Sequence, residues 1–246
     1  MWLVLCDPSD RAAVWAYEGL RERGLEPLEL LSPQTLLDSS RSAHRIDRHG
    51  AGFELVLPDG RVLASRDVDG ALNRVAAAPF GFLPFSTHAD AVYAAQELHA
   101  LLLSLLTCLA PVSVNRPGGY GLCGAWRSIP EWTALAARAG LPVAPVRLSS
   151  SLNVGPPPEP PVRGDVLVLG EQVFGAPVTE DREPYVRLAR LAEVSLLGVD
   201  LRHPEGRPPV FAGVTLLPDL RLGGDAFLDH LHKRLLDHPA ESSGAP

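Results

Sequence analysis

Lysine is nearly missing from this chain: of 22 basic residues in 246, arginine supplies all but Lys233. A P-loop needs a Gly-rich turn followed by Lys-Ser/Thr, so that phosphate-binding motif is excluded. Cysteine is scarce too, with Cys6, Cys108 and Cys123 odd in number and widely spaced. That argues against a disulfide framework and leads us to expect a reducing, cytoplasmic setting. Long hydrophobic runs are lacking. The longest apolar block, 100–112, is broken by Ser104 and Thr107; it falls short of the ~20 apolar residues of a membrane span. It reads as a buried helix, and no membrane is expected. There is no basic excess either: the net charge is −7, with both signs interspersed, which argues against a nucleic-acid footprint. The first residues, Met-Trp-Leu-Val-Leu-Cys-Asp, have no basic flank and read as a strand rather than a signal peptide. No internal repeat is found.

What is present is an alternation of strand and helix patterns. A short apolar run at 3–6 ends on Asp7-Pro-Ser-Asp10, a turn and helix-cap signal. Residues 11–23 carry Ala12, Trp15, Ala16, Gly19 and Leu20 at helical spacing, with Gly24 as the stop. A second strand is expected over 25–31, and strand–helix–strand with tight connections implies a parallel pair. Residues 53–57 and 61–65 flank Pro58-Asp59-Gly60 and predict a β-hairpin. A strand over 67–75 would end on Asn73-Arg74. A long helix should run from Asp90 to about Leu109, and a strand over 111–115 leads into Arg116. Further on come a helix beginning after Ser128 and stopped by Gly140, and a linker over 153–163 with five prolines. A hairpin over 165–176, a helix over 184–193, two strands and a last helix over 225–236 complete the pattern. The fold class expected is α/β. An N-terminal α/β domain, 1–117, carries the inserted hairpin; an α+β region follows over 118–238, then a disordered tail, 239–246.

Several local clusters invite chemistry. Residues 116–124 hold four glycines and could cradle a phosphate, or serve as a flexible connection. Cys123 within them would need a nearby base to act as a nucleophile, and none is named by the sequence. His230 and His232 stand about 200° apart on a helix and cannot share a metal from one face; Asp225, Asp229 and Asp237 fit helix-surface charges. Arg74, Arg116 and Arg221 each close a predicted strand, where open α/β sheets place their crevice. Together they could hold a carboxylate or phosphate; equally, Asp219 and Arg221 could pair with each other to close a turn. The rings of Phe80, Phe82 and Phe85 would pack under the hairpin or meet a partner.

The order of these motifs resembles the ATP-grasp superfamily, of the glutathione synthetase/RimK-like kind. Val114-Asn115-Arg116-Pro117, the helix around 132–139, Gly140-Leu-Pro142-Val-Ala-Pro145, the hairpin, and Gly198-Val199-Asp200 before the last strand pair follow the family's order. The resemblance covers nearly the whole chain. It implies a pre-ATP-grasp domain over 1–117 and a shortened grasp region over 118–238, with ATP and Mg²⁺ as cofactors if the chain is an enzyme. It also implies Asp200 as a metal ligand, Arg127 and Arg221 at phosphates, and Arg74 or Arg116 at a substrate carboxylate.

The chain departs from that pattern at telling places. Aligned on Pro218, the family's Glu and Asn metal ligands fall on Gly213 and Thr215, and its phosphate-holding lysine unit falls on the lysine-free linker. Mg²⁺ needs hard oxygen ligands. The leading expectation is therefore a degenerate ATP-grasp protein without catalysis or cofactor. It would bind a small-molecule carboxylate, peptide or protein partner in a crevice lined by Arg74, Asn115, Arg116, Arg127, Asp219 and Arg221. The alternative is an active ATP-dependent carboxylate–amine ligase acting through an acyl-phosphate. A third is an obligate subunit of a hetero-complex, and a homo-oligomer is also left open.

Overall fold

The structure is a computed structural model that describes residues 1–48, 50–80, 84, 87–118, 121–145, 165–175, 181–206 and 208–237. The prolines of 153–163, the rings of Phe82 and Phe85, and the tail 239–246 lie outside the described residues. In chain order the elements begin with β1 (Trp2–Cys6), α1 (Arg11–Glu22), β2 (Leu28–Leu31), α2 (Pro33–Leu37), β3 (Arg41–Asp47), β4 (Gly50–Val56), β5 (Val62–Ala64) and β6 (Gly70–Arg74). Then follow α3 (His88–Cys108), β7 (Ser113–Val114), α4 (Ile129–Ala139), β8 (Val166–Leu169), β9 (Gln172–Gly175), α5 (Glu183–Ala192), β10 (Leu196–Arg202), β11 (Val210–Thr215) and α6 (Gly224–Leu236). They form two compact units, Met1–Trp126 with Asp225–Pro246, and Arg127–Gly224.

In the first unit, β2-β1-β6-β7 make a parallel sheet. The strand–helix–strand start is the parallel pair expected of it: α1 begins where Asp10 Oδ1 accepts from the Ala12 and Ala13 N–H groups, each at 3.1 Å. That satisfies two of the donors a helix leaves open at its start. Strands β3, β4 and β5 form a second, antiparallel sheet, with Asp59-Gly60 in the β4–β5 turn. One core joins Leu3, Leu5, Phe53, Leu55, Leu102 and Leu106.

Three points differ from the sequence reading. Strand β3 escapes the sequence pattern because all seven of its residues are exposed, so Arg-Ser-Ala-His-Arg-Ile-Asp shows no apolar alternation. The apolar block 100–112 is not the buried helix expected. Its residues up to Cys108 are the end of the 21-residue α3, in which only Leu102, Leu105 and Leu106 are buried, and the rest lie beyond the helix. By length and composition alone, α3 would suffice to cross a membrane. Helix α6, read from sequence as part of the later region, falls in the first unit.

The second unit is an antiparallel sheet, β11-β10-β8-β9, with α4 and α5. Helix α4 begins where the Glu131 carboxylate accepts from the Ser128 N–H at 2.7 Å and hydroxyl at 2.6 Å. It ends at Gly140, whose φ of 97° requires the left-handed conformation. Trp132, Tyr185, Leu188, Val166 and Val199 share its core.

Candidate functional site

In the second unit the polar centre is Asp200, near the end of β10. It is 3 % exposed. Strand β10 is central, paired with β8 and β11, and its register with β11 shifts between Asp200 and Leu201, where Asp200 faces Gly213. Such a bulge re-aims side chains at the end of a strand. Asp200 Oδ1 is buried and has no hydrogen-bond partner among the described residues. Burial first, and then the neighbouring charge of Asp165, raise its pKa from 3.8 to about 6. Asp165 is itself anchored, because its Oδ2 accepts from the Leu201 N–H at 2.9 Å.

Glycine at 213 leaves room beside this carboxylate: a Cβ there would stand 3.5 Å from Asp200 Oδ2. Thr215 is occupied in a turn, its hydroxyl accepting from the Leu217 N–H at 3.1 Å. Among the described residues no group of three or more His, Cys, Asp or Glu side chains is placed to hold a metal ion. An anionic, buried and unpartnered carboxylate oxygen nevertheless fits one ligand position of a hard cation. Mg²⁺ commonly takes one or two carboxylates and completes its shell with phosphate oxygens and water. The donor set therefore fits a metal delivered with a nucleotide better than a dedicated protein cage.

Arg127 lies 5.3 Å from the centroid of the Trp132 ring, a cation–π contact. Its Nη1 is buried without a partner among the described residues. Arg221 forms a two-point pair with Asp219, Nε to Oδ1 at 2.8 Å and Nη2 to Oδ2 at 2.7 Å. Of the two readings of these residues, the turn-closing pair is formed.

In the first unit, β1 and β6 lie side by side with Cys6 opposite Arg74. This is the point where the sheet order reverses, and Arg74 is 4 % exposed. Its guanidinium binds Asp10 through Nε at 2.7 Å and Nη2 at 3.2 Å. The Arg74 Nη1 is buried with no partner among the described residues. Asn115 sits at φ 62°, and its carbonyl accepts from Asn73 Nδ2 at 3.1 Å, which also reaches the Leu122 carbonyl at 2.7 Å. Arg116 is exposed. Burial, followed by the positive charge of Arg116, lowers the Arg234 pKa. The Cys6 and Cys123 thiols are each pushed up to about 11, mainly by burial. Asp225 and Asp229, read as surface charges, both bind Arg23, at 3.1 and 2.7 Å.

The candidate arginines thus divide between the units, with Arg74 and Arg116 in the first and Arg127 and Arg221 in the second. Sequence reading missed Asp10 as the partner of Arg74, although its position as a helix cap was legible. It also missed Asp165, whose place at the hairpin's start gave no sign that it would approach Asp200.

The sequence matches no protein-family model and no curated relative. Solved structures do match over nearly the full length. The ATP-grasp ligase PsnB, complexed with a minimal precursor, Mg and ADP, is 14 % identical with a TM-score of 0.63, over 96 % of this chain and 97 % of that one. The macrocyclase MdnC from Microcystis aeruginosa, bound with the precursor peptide MdnA, is 9 % identical with a TM-score of 0.63, over 95 % and 100 %. A RiPP-associated ATP-grasp ligase from Chryseobacterium gregarium, in complex with ADP and a leader and core peptide, is 11 % identical with a TM-score of 0.61, over 100 % and 97 %. The chain has an ATP-grasp ligase fold, mixed α/β with one parallel and two antiparallel sheets among the described residues.

Proposed function

We propose that this chain is an ATP-dependent carboxylate–amine ligase acting on a peptide, with the nucleotide's Mg²⁺ held at Asp200. The observation that carries this reading is the buried Asp200 carboxylate with an oxygen that has no partner among the described residues. A buried charge is costly unless paired or bound to a metal, and this one stands beside the space left by Gly213. The fold is shared with one ligase solved with Mg, ADP and a minimal precursor and another solved with ADP and a leader and core peptide, which favours turnover over binding alone. When bound, Mg²⁺ would neutralise charge on the transferring phosphoryl group. Asp200 would hold the cation, with Asp165 close enough to add its charge. Arg127, stacked on Trp132, would offer to an anionic oxygen its Nη1, which has no partner among the described residues.

Gly213 and Thr215 favour a second reading, a peptide- or carboxylate-binding homologue without turnover. Neither supplies a carboxylate, and the Thr215 hydroxyl is already engaged in a turn.

Thermal unfolding with Mg²⁺ and a non-hydrolysable ATP analogue distinguishes the two. The ligase reading expects a rise in Tm that requires Mg²⁺ and disappears in Asp200→Asn; saturation at ~100 times Kd adds about 2.7 kcal/mol. It also expects ADP release when ATP is supplied with carboxylate-bearing peptides. An unchanged Tm at millimolar nucleotide, alongside measurable peptide binding, overturns it in favour of the second reading.

A further inference from the structure

A separate cluster lies in the first unit, on the face formed by β3 and the end of α3. His44, on β3, is bonded at both ring nitrogens to one turn of helix. Its Nε2 is 3.3 Å from Cys108 Sγ and its Nδ1 is 3.3 Å from Ser104 Oγ. Ser104 and Cys108 are four residues apart on α3 and so share one helix face. The thiol has a second acceptor in the Ser104 carbonyl at 3.4 Å. His44 and Cys108 both line a cavity of about 860 Å³, together with the cations Arg41, Arg45 and Arg66 and the acids Asp47 and Glu54. Arg66 is paired with Glu54 at 3.3 Å. Arg41 and Arg45 form no ion pair with a described residue.

We infer that Cys108 is a reactive thiol which exchanges with small anionic disulfides, with His44 as its proton acceptor and Ser104 positioning the imidazole. Nothing in the ligase reading uses these residues, and the inference stands apart from it.

Three features of the site carry it. First, a nucleophile–base contact is formed: with the imidazole proton on Nδ1, donated to Ser104 Oγ, Nε2 faces the thiol as an acceptor. Second, the thiol borders an open cavity, whereas Cys6 and Cys123 are buried. Third, three guanidiniums line the cavity against two carboxylates, and two of them, Arg41 and Arg45, form no ion pair with a described residue, which suits a reactant bearing carboxylates. Burial raises the Cys108 pKa, so the resting group is a thiol and the exchange needs a base at hand.

In the exchange the Cys108 S–H proton passes to His44 Nε2 while Sγ attacks one sulfur of the disulfide. A new S–S bond forms, the original S–S bond breaks, and the departing thiolate takes the proton from His44. The disulfide is the sole oxidant, and one of its halves leaves as a free thiol.

The test is intact-protein and peptide mass spectrometry of the native full chain incubated with oxidised glutathione. The expected result is one mixed disulfide, mapped to Cys108, with Cys6 and Cys123 unmodified until the chain is denatured. Cystamine, a cationic disulfide, should react at least tenfold more slowly than oxidised glutathione. His44→Gln should slow modification at least tenfold while the Tm stays unchanged. Ser104→Ala should slow it, and Ser104→Thr, which restores the hydroxyl, should recover it. Equal rates for the two disulfides overturn the anionic preference. A Cys108 that reacts no faster in wild type than in His44→Gln overturns the proton-acceptor role.

Discussion

Asp200 faces Gly213 across the β10–β11 pair, at the point where the strand register shifts. The absence of a side chain at 213 leaves the carboxylate buried with one oxygen unpartnered among the described residues. That arrangement costs stability. The Asp200 carboxyl has a pKa of about 6 in the folded chain against an ordinary 3.8, so between those values the folded state holds more protons than the unfolded chain. Stability therefore falls as pH rises through that window, and the loss persists above it. The full difference corresponds to roughly 3 kcal/mol. Asp200→Asn should flatten this fall and raise stability at pH 7.5 by about 1–2 kcal/mol, the amide's own unmet hydrogen bond offsetting part of the gain. Urea unfolding at pH 4 and pH 7.5 measures both. A variant less stable than wild type at pH 7.5 would mean that the carboxylate is satisfied in the apo chain.

The space at Gly213 can be filled. Gly213→Glu with Thr215→Asn places oxygen donors where the ATP-grasp pattern has them, and Gly213 lies in β11 outside the left-handed region, so a side chain there brings no backbone strain. Without metal, the added carboxylate should destabilise the chain near neutral pH by about 1–3 kcal/mol, because like charges then share a buried site. With Mg²⁺ and nucleotide the order should reverse, and the double variant should gain more in Tm than wild type does. Calorimetric titration of Mg²⁺ and ATP analogue reads this directly. No tighter binding in the double variant would place the nucleotide's metal elsewhere.

The architecture was more legible than the site, for a physical reason. Gly24, Asp59-Gly60, Gly140 and Gly170 mark turns through backbone constraints written in single residues. Helices α1, α4 and α5 bury one face and so show their period. Strand β3 buries no residue and left no pattern. The Asp200 centre depends on Asp165, the residue before β8, and the Arg74 pair joins residues 64 apart in sequence; no local spacing records either. Asp200 itself was singled out because Gly198-Val199-Asp200 follows the ATP-grasp order. The Gly213 and Thr215 departures were read from a motif, but that reading gave no account of how the carboxylate would be left unpaired.

Arg74 and Asp10 tie the end of β6 to the start of α1. The two sides should not be equivalent to mutation. Asp10→Ala leaves a buried guanidinium without its counter-charge, a loss of about 3–5 kcal/mol, and also removes the α1 cap, worth about 1 kcal/mol. Arg74→Met removes the buried charge and retains the apolar stem, while Asp10 continues to cap the helix. It should cost less than half as much. Guanidinium unfolding midpoints of both variants give the comparison, and equal losses would show that the pair, not the stranded charge, sets the energy.

The last helix is fastened to the first unit by a glycine. A Cβ on Gly19 in α1 would meet Leu228 Cδ1 of α6 at 2.4 Å and Cδ2 at 3.1 Å, and Leu228 is 2 % exposed. The leucine can turn away only by displacing its packed neighbours. Arg23 adds to the same seam by holding Asp225 and Asp229, though such surface pairs contribute at most about 1 kcal/mol each. Gly19→Ala should therefore destabilise the chain by about 1–3 kcal/mol through overpacking, even though alanine is the better helix former by about 1 kcal/mol. Pairing it with Leu228→Val should restore part of the loss, a coupling of about 0.5–3 kcal/mol for residues in contact. Additive effects in that double-mutant cycle would mean that α6 is held to α1 by something other than this contact.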